Sequence, residues 1–424
     1  MKKIWVLILA SGALASQALL GGEAFRTDIN PALLYYQGFS LRPELSQADH
    51  DYLFTNEWRG KVLDERFLAL IPTYKNSFKL FRRAAKAQVP CDWGMDLTDG
   101  PEAMLPGLAK AKSAAQTARL RTMWHLQNGK PEEARDDLLA AFVMARQVSR
   151  DRVLISALVQ FAMENIVASI IAENFYQLPP EILGQLADGL ESAPARGLVA
   201  DCIENENLSF KEYFVRKIQE FRAEDESRAL ARFRELLTRS FDSEEPPAAR
   251  PARSASQQSE GAIKADKIIA AGGGTLDGVT RLFEEMPALY ERAEKILRLP
   301  VAQYARPMAD FESMIKANPN PLGQEFFGML DNCRKKEFGT QSTVAMVRAG
   351  IAYKLRGEEG FRSVLDPCTG VPFEFERFAF EGVDRGFKLK SKYRGRDFDE
   401  VLIFVEKPGP LFRTTGKTAG EKVK

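Results

Sequence analysis

The sequence predicts a mainly α fold: an irregular body of α-helical hairpins with a small C-terminal antiparallel β-sheet. Three observations predict it. Apolar residues recur every three to four positions through most of 28–355, the period of an amphipathic helix. An explicit helix–turn–helix signal occupies Arg119–Arg146. The period then falls to two over 371–405, where glycines separate short apolar runs.

Taken in order, Asp28-Ile29-Asn30-Pro31 reads as a cap and turn before a short helix at Ala32–Tyr36. A second start follows Ser46. Leu63, Phe67, Leu68, Ile71, Tyr74, Phe78 and Phe81 keep helical spacing, with Pro72 marking a break. Pro90–Asp96 is a loop, and helices resume at Ala103–Lys110 and Ala111–Gln127. Gly129 then ends one helix and Pro131 opens the next. Glu132 and Glu133 favour the positive N-terminal end, and Ala134, Leu138, Ala141, Phe142 and Ala145 line one face.

This hairpin resembles one tetratricopeptide unit, with Gly129 at the turn and Ala134 and Ala141 at the small packing positions. Its first helix departs from the motif. Arg121, Thr122 and His125 stand where leucine, a small residue and an aromatic are expected, and no 34-residue recurrence follows.

Residues 151–176 are the most apolar helix, interrupted by Gln160, Glu164 and Asn165. A buried charge is costly in a bilayer, so a central helix of the body is the expected role. A short helix at Glu181–Glu191 follows, then a long amphipathic stretch over Val199–Phe241, with a solvated face or bend at Arg222–Arg228. Asp242–Ala262 has three prolines and no large apolar side chain, the composition of a disordered linker. Helices return at Ile263–Ala271 and Leu276–Leu299. A Pro-rich elbow with one short helix and a final helix over Gln324–Leu355, with Gly339 as its candidate break, complete the body. Three strands then carry Phe373, Phe375 and Phe380; Phe387, Leu389 and Tyr393; and Val401, Ile403 and Val405, with turns at Gly382, Gly386 and Gly395.

The domain plan is therefore a signal peptide at 1–24, a helical domain at 25–241, the linker at 242–262 and a helical continuation at 263–355. The sheet occupies 356–407 and a disordered tail 408–424. Lys2 and Lys3, an apolar run from Ile4 to Ala10, and small-residue contexts near 18 and 24 form the signal pattern. They predict a Sec-exported, periplasmic or secreted bacterial protein, with no integral membrane segment unless the signal is retained as an anchor.

Composition narrows the function classes. The 424 residues are 45% hydrophobic and 28% charged, with net charge +1, or −1 without residues 1–18. Such a chain lacks the basic field of a nucleic-acid partner. Two histidines exclude a His-rich zinc site, and no metal or cofactor is expected. Cys91, Cys202, Cys333 and Cys368 lie far apart; export permits disulfides, and buried free thiols are the simpler expectation.

The ligand-groove candidates are Trp93, Asp96, Asp99, Trp124 and His125, because the 93–99 loop immediately precedes the hairpin and aromatics beside carboxylates suit a glycan or peptide. Glu164, on an otherwise apolar helix, is the candidate buried carboxylate. Gly272–Gly278 lacks the lysine and strand of a phosphate loop and reads as a turn.

Five segments carry a wider resemblance: Asn30–Tyr36, Asp92–Asp96, Gly129–Ala134, Asn320-Pro321-Leu322 and Asp366–Pro372. With them the chain resembles an uncharacterised family of exported, helix-rich bacterial proteins, which implies a fold and no activity. The Asp-Pro-x-Thr-Gly-x-Pro turn also resembles the one before the terminal strands of secretion-system pseudopilins, whose processed N-terminal helix this chain lacks. The expected function is a non-enzymatic exported scaffold that binds a protein or peptide. The alternative is a carboxylate-dependent hydrolase of a polymer such as a glycan, which needs Asp96, Asp99 and Glu164 to converge.

Overall fold

The computed structural model describes residues 26–54, 62–242, 258–394 and 399–409. The signal segment, most of the linker and the tail from residue 410 lie outside the described residues. The chain is mainly helical with one small antiparallel sheet.

The first helices are α1 (Pro31–Ser40), α2 (Gln47–Phe54) and α3 (Lys75–Ala85). Asn30 does two jobs at the start of α1. Its Oδ1 accepts from Ala32 N at 3.1 Å, capping the helix. The same side chain clamps the backbone of Asp92, accepting from its N at 3.1 Å and donating to its O at 2.7 Å. The segments that begin at Asn30 and Asp92 thus form one structural joint. Helices α1 and α3 cross at Gly38, where a Cβ would lie 2.3 Å from the Phe81 ring.

The hairpin is α4 (Pro106–Gln127) and α5 (Pro131–Val148). One helix runs from 106, where two segments were expected. Gly129 sits at φ +67°, and Lys130 N donates to His125 O at 2.8 Å, closing α4 with a left-handed cap. Next come α6 (Leu154–Glu173) and α7 (Pro180–Glu191). Helix α6 is long and apolar enough to cross a membrane, yet 61% of its most apolar 18-residue stretch is buried within the protein, packed on α4, α5 and the C-terminal elements.

The stretch read as one amphipathic run divides into α8 (Val199–Phe221) and α9 (Glu226–Phe241). The charged cluster is the bend, and Asp225 caps α9 by accepting from Ser227 N at 3.1 Å. Helix α10 (Glu260–Ala271) begins earlier than Ile263 because Ser259 caps it, accepting from Ala262 N at 3.1 Å. Leu276–Leu299 splits at Glu285, before Pro287, into α11 (Leu276–Glu284) and α12 (Met286–Leu297). The Pro-rich elbow holds a longer helix than expected, α13 (Val301–Ala317), with Pro307 inside it. Burial of Tyr304, Met308, Phe311 and Ile315 on one face offsets the missing N–H. A short α14 (Leu322–Phe327) precedes α15 (Leu330–Arg362). Its break is at Gly357, φ 67° and ψ −152°; Gly339 is helical.

The sheet has order β1 (Glu374–Phe380), β2 (Val383–Arg394), β3 (Asp399–Val405), antiparallel throughout. Two expectations change here. Gly386 lies within β2 rather than at a turn, where a Cβ would meet Phe404 O at 2.0 Å. In β3 the expected face holds only at its end: Val405 is buried, but Leu402 and Phe404 are buried as well while Val401 is 43% exposed. Phe404 stacks on Phe387 at 4.7 Å and reaches α15 at Gly350, where a Cβ would touch its ring at 2.4 Å.

The Asp366–Gly370 turn fastens this sheet. Buried Asp366 accepts from Ser342 Oγ on α15 (2.7 Å), Ser391 Oγ on β2 (2.6 Å) and Cys368 N (2.9 Å). One carboxylate therefore binds a helix, a strand and its own loop.

The four cysteines are buried free thiols. Burial pushes the Cys91 thiol up to about 12 and the Cys333 thiol to about 11, which suppresses the reactive thiolate.

Candidate functional site

The groove that best fits a ligand lies between α3 and the α4–α5 hairpin, with a volume of about 590 Å³. It follows from the amphipathic character of α3. Phe78 and Phe81 on one face are buried, which turns Lys75, Lys79, Arg82, Arg83 and Lys86 toward the groove. Arg121, Trp124 and His125 of α4, with Lys130 at the turn, form the facing wall; Glu133 and Asp136 of α5 stand at its edge.

Asp137, fully buried beneath the groove, organises its floor. Its Oδ1 accepts from Arg82 Nε at 2.7 Å and its Oδ2 from Arg121 Nε at 2.8 Å. His125 Nε2 lies 3.3 Å from Oδ2. Burial opposes ionisation of this carboxyl, but the His125 hydrogen bond and the Arg121 and Arg82 charges outweigh it and hold the group below the usual carboxylate range. Arg82 also donates to Glu133 O at 2.9 Å, and the Arg121 guanidinium lies 4.6 Å from the Phe78 ring centre. The floor is therefore rigid and already neutralised.

The walls are not. Among the described residues no carboxylate pairs with Lys75, Lys79, Lys86 or Lys130. Lys130 instead lies 5.3 Å over the Trp124 ring. Seven cationic side chains line the groove against two acids, so it is electropositive on a chain of nearly zero net charge.

The six sequence candidates divide. Trp124 and His125 line this groove, their rings 5.0 Å apart at 66°. Trp93 is core: it stacks on Tyr35 at 5.5 Å and donates from Nε1 to Gln147 O at 2.8 Å. It packs on Gly107, about 25 Å along α4 from Trp124. Asp96 is an exposed loop cap, accepting from Thr98 N and Oγ1 at 2.9 and 2.6 Å, which lowers its pKa. Asp99 is exposed just before a 3₁₀ turn that packs against Tyr213 of α8. Glu164 is fully buried, 2.8 Å from Arg146 Nε, paired also with Arg196, and accepts from Gln160 Nε2 at 2.9 Å. The carboxylates of Asp96 and Glu164 are each committed to separate partners, and the acids do not share a cleft.

The sequence reading missed the α3 cations. Their signal was present: 75, 79, 82/83 and 86 form one helical stripe flanking the face that carries Phe78 and Phe81. It also read Arg121 only as a departure from a repeat motif, whereas Arg121 joins the groove lining and binds Asp137 beneath it. Among the described residues no group of three or more His, Cys, Asp or Glu could hold a metal ion. No protein-family profile, curated protein or solved structure matches this chain.

Proposed function

We propose that this chain is an exported, non-enzymatic helical scaffold that binds an acidic segment of a partner polypeptide in the groove between α3 and the hairpin. The observation that carries this reading is the row of unpaired lysines on α3 facing the half-buried Trp124. Unpaired cations attract a negatively charged segment, and the indole offers apolar contact area for its side chains. Glu133 and Asp136 at the edge would repel a continuous phosphate backbone but can pair with peptide N–H groups. The groove supplies binding without a nucleophile, because nearby Arg82 and Arg121 already neutralise Asp137.

Fluorescence anisotropy with a labelled Glu-rich peptide tests the reading. Binding should weaken as salt rises, and the triple reversal Lys75→Glu, Lys79→Glu, Lys86→Glu should reduce affinity at least about tenfold. Reversal of Lys211 and Lys217, away from the groove, should leave it unchanged. Equal binding by the groove triple variant would sink the proposal. For the compartment, mass spectrometry of native protein should find a new N-terminus near residue 19 or 25; an intact Met1 in the cytoplasmic fraction contradicts export.

A further inference from the structure

His125 carries an anomaly that the charge pattern does not explain. The ring is only 5% exposed and belongs to the groove lining, yet its Nδ1 has no hydrogen-bond partner among the described residues. Its Nε2 is shared between two incompatible neighbours, Asp137 Oδ2 at 3.3 Å and Arg121 Nη2 at 3.2 Å. If Nε2 carries the proton, it satisfies Asp137 but faces a second donor, and Nδ1 is a buried acceptor without a donor. If Nδ1 carries the proton, Nε2 accepts from Arg121, the lone pairs of Nε2 and Asp137 oppose each other, and a buried N–H is left unmade. Each neutral tautomer leaves a buried polar group unsatisfied, which costs free energy. The doubly protonated ring satisfies Asp137 through Nε2, still beside the Arg121 guanidinium, and presents at Nδ1 a donor that calls for an acceptor.

We infer that the floor of the groove is a seat for one oxyanion of the ligand, a carboxylate or phosphoryl group, which accepts a hydrogen bond from His125 Nδ1–H while Asp137 holds the ring through Nε2. The seat rests on the acidic-segment reading and specifies its chemistry. The groups facing the ring fit this role. From its own helix comes Arg121; from α3 come Arg82 and, along the wall, Lys79 and Lys86; from α5 come Asp137 and, at the edge, Glu133 and Asp136. Lys75 and Arg83 of α3 and Lys130 at the turn complete the set. Cations outnumber acids around the ring, so the ligand's negative charge is what makes a protonated His125 affordable. Ligand binding is therefore linked to proton uptake, and affinity falls as pH rises and the bound ring deprotonates. The ring's low exposure means that a flexible wall side chain moves on entry. Lys130 is the natural one, since it forms no ion pair among the described residues.

The chain has two histidines, so long-range ¹H–¹⁵N spectra of the intact protein contain two ring systems, assigned with His50→Asn. Three titrants are used: inorganic phosphate, the Glu-rich peptide, and the same peptide carrying one phosphoserine. With a ligand that seats, the His125 Nδ1 resonance should move from the unprotonated to the protonated range. His125→Gln should weaken peptide binding about tenfold and flatten its pH dependence. A shift with phosphate and the phosphopeptide alone identifies a phosphoryl source; a shift with the Glu-rich peptide identifies carboxylate. Peptide binding by anisotropy with the His125 signals unmoved overturns the seat and leaves the acidic-segment reading standing. Absence of binding by all three overturns both.

Discussion

Asp137 and Glu164 are built alike and serve different ends. Both are fully buried acids on the central helices, and each is held by two arginines from elsewhere in the chain. Around Glu164 the charges close on themselves. Arg146 and Arg196 belong to it, and the neighbouring Arg348 pairs with Glu191 at 3.1 Å. Around Asp137 they do not: the arginines are satisfied, but an additional row of lysines and an unpartnered imidazole nitrogen stand beside them. A buried acid with two arginines is thus a clamp by default. It becomes the base of a candidate site only where positive charge and hydrogen-bonding capacity remain in surplus. Asp151 adds a third case, a half-buried acid with no cation paired to it among the described residues. Burial raises it to about 6 despite hydrogen bonds from Ser156 and Val153.

The largest test of this contrast removes each acid. Glu164→Ala and Asp137→Ala should each cost about 3–5 kcal/mol in urea unfolding, because both strand paired arginines in a buried setting. The two should part on adding phosphate. An anion can replace the lost carboxylate beneath the open groove, so Tm of the Asp137 variant should recover in part while that of the Glu164 variant stays put. Equal recovery, or none in either, would erase the distinction. In the wild-type chain Asp137 also sets an acid limit. Its folded pKa is depressed, so its contribution is present above the unfolded value of about 3.9 and is lost as pH falls through the lower folded value.

Asp151→Asn should act in the opposite direction. A carboxyl raised in the folded state contributes stability below its unfolded pKa and loses it as pH rises through about 6. The amide should therefore stabilise the protein above that pH, by up to about 3 kcal/mol, and the gain should vanish below about pH 4. Thermal melts of the two chains across that range decide it; a constant difference at every pH would show that desolvation of the charge is not the cause.

The smallest stability effect belongs to the groove wall. Lys79→Glu should change unfolding free energy by no more than about 0.5 kcal/mol, since no ion pair is broken. It should nonetheless weaken the acidic peptide, whereas the same reversal at Lys211 should change neither. A Lys79 variant that melts several degrees lower would mean that the lysine row is structural.

Several elements were legible in the sequence because their causes are local. Gly129 and Pro131 marked the hairpin turn, since a left-handed cap and a first-turn proline depend on a few neighbouring residues. Three strands and a helical body followed from the change in period. Where a local signal met a longer-range one, the reading slipped. Pro307 looked like a helix stop but is carried through α13 by an apolar face, and in β3 Leu402 and Phe404 turn inward where Val401 was expected to.

The candidate site divides the same way. Sequence alone contained its ingredients: the cationic stripe of α3, Trp124 and His125 near the end of α4, and a pair of aspartates early in α5. Tertiary structure decided which of them meet. Asp137 joins Arg82 and Arg121 across 55 and 16 residues of chain, and Trp93, near in sequence to the hairpin, is spent in the core against Tyr35. Periodicity says which side of a helix is apolar and which is charged. It does not say which neighbouring helix that charged side will face, because that choice is made by the packing of all the apolar sides at once.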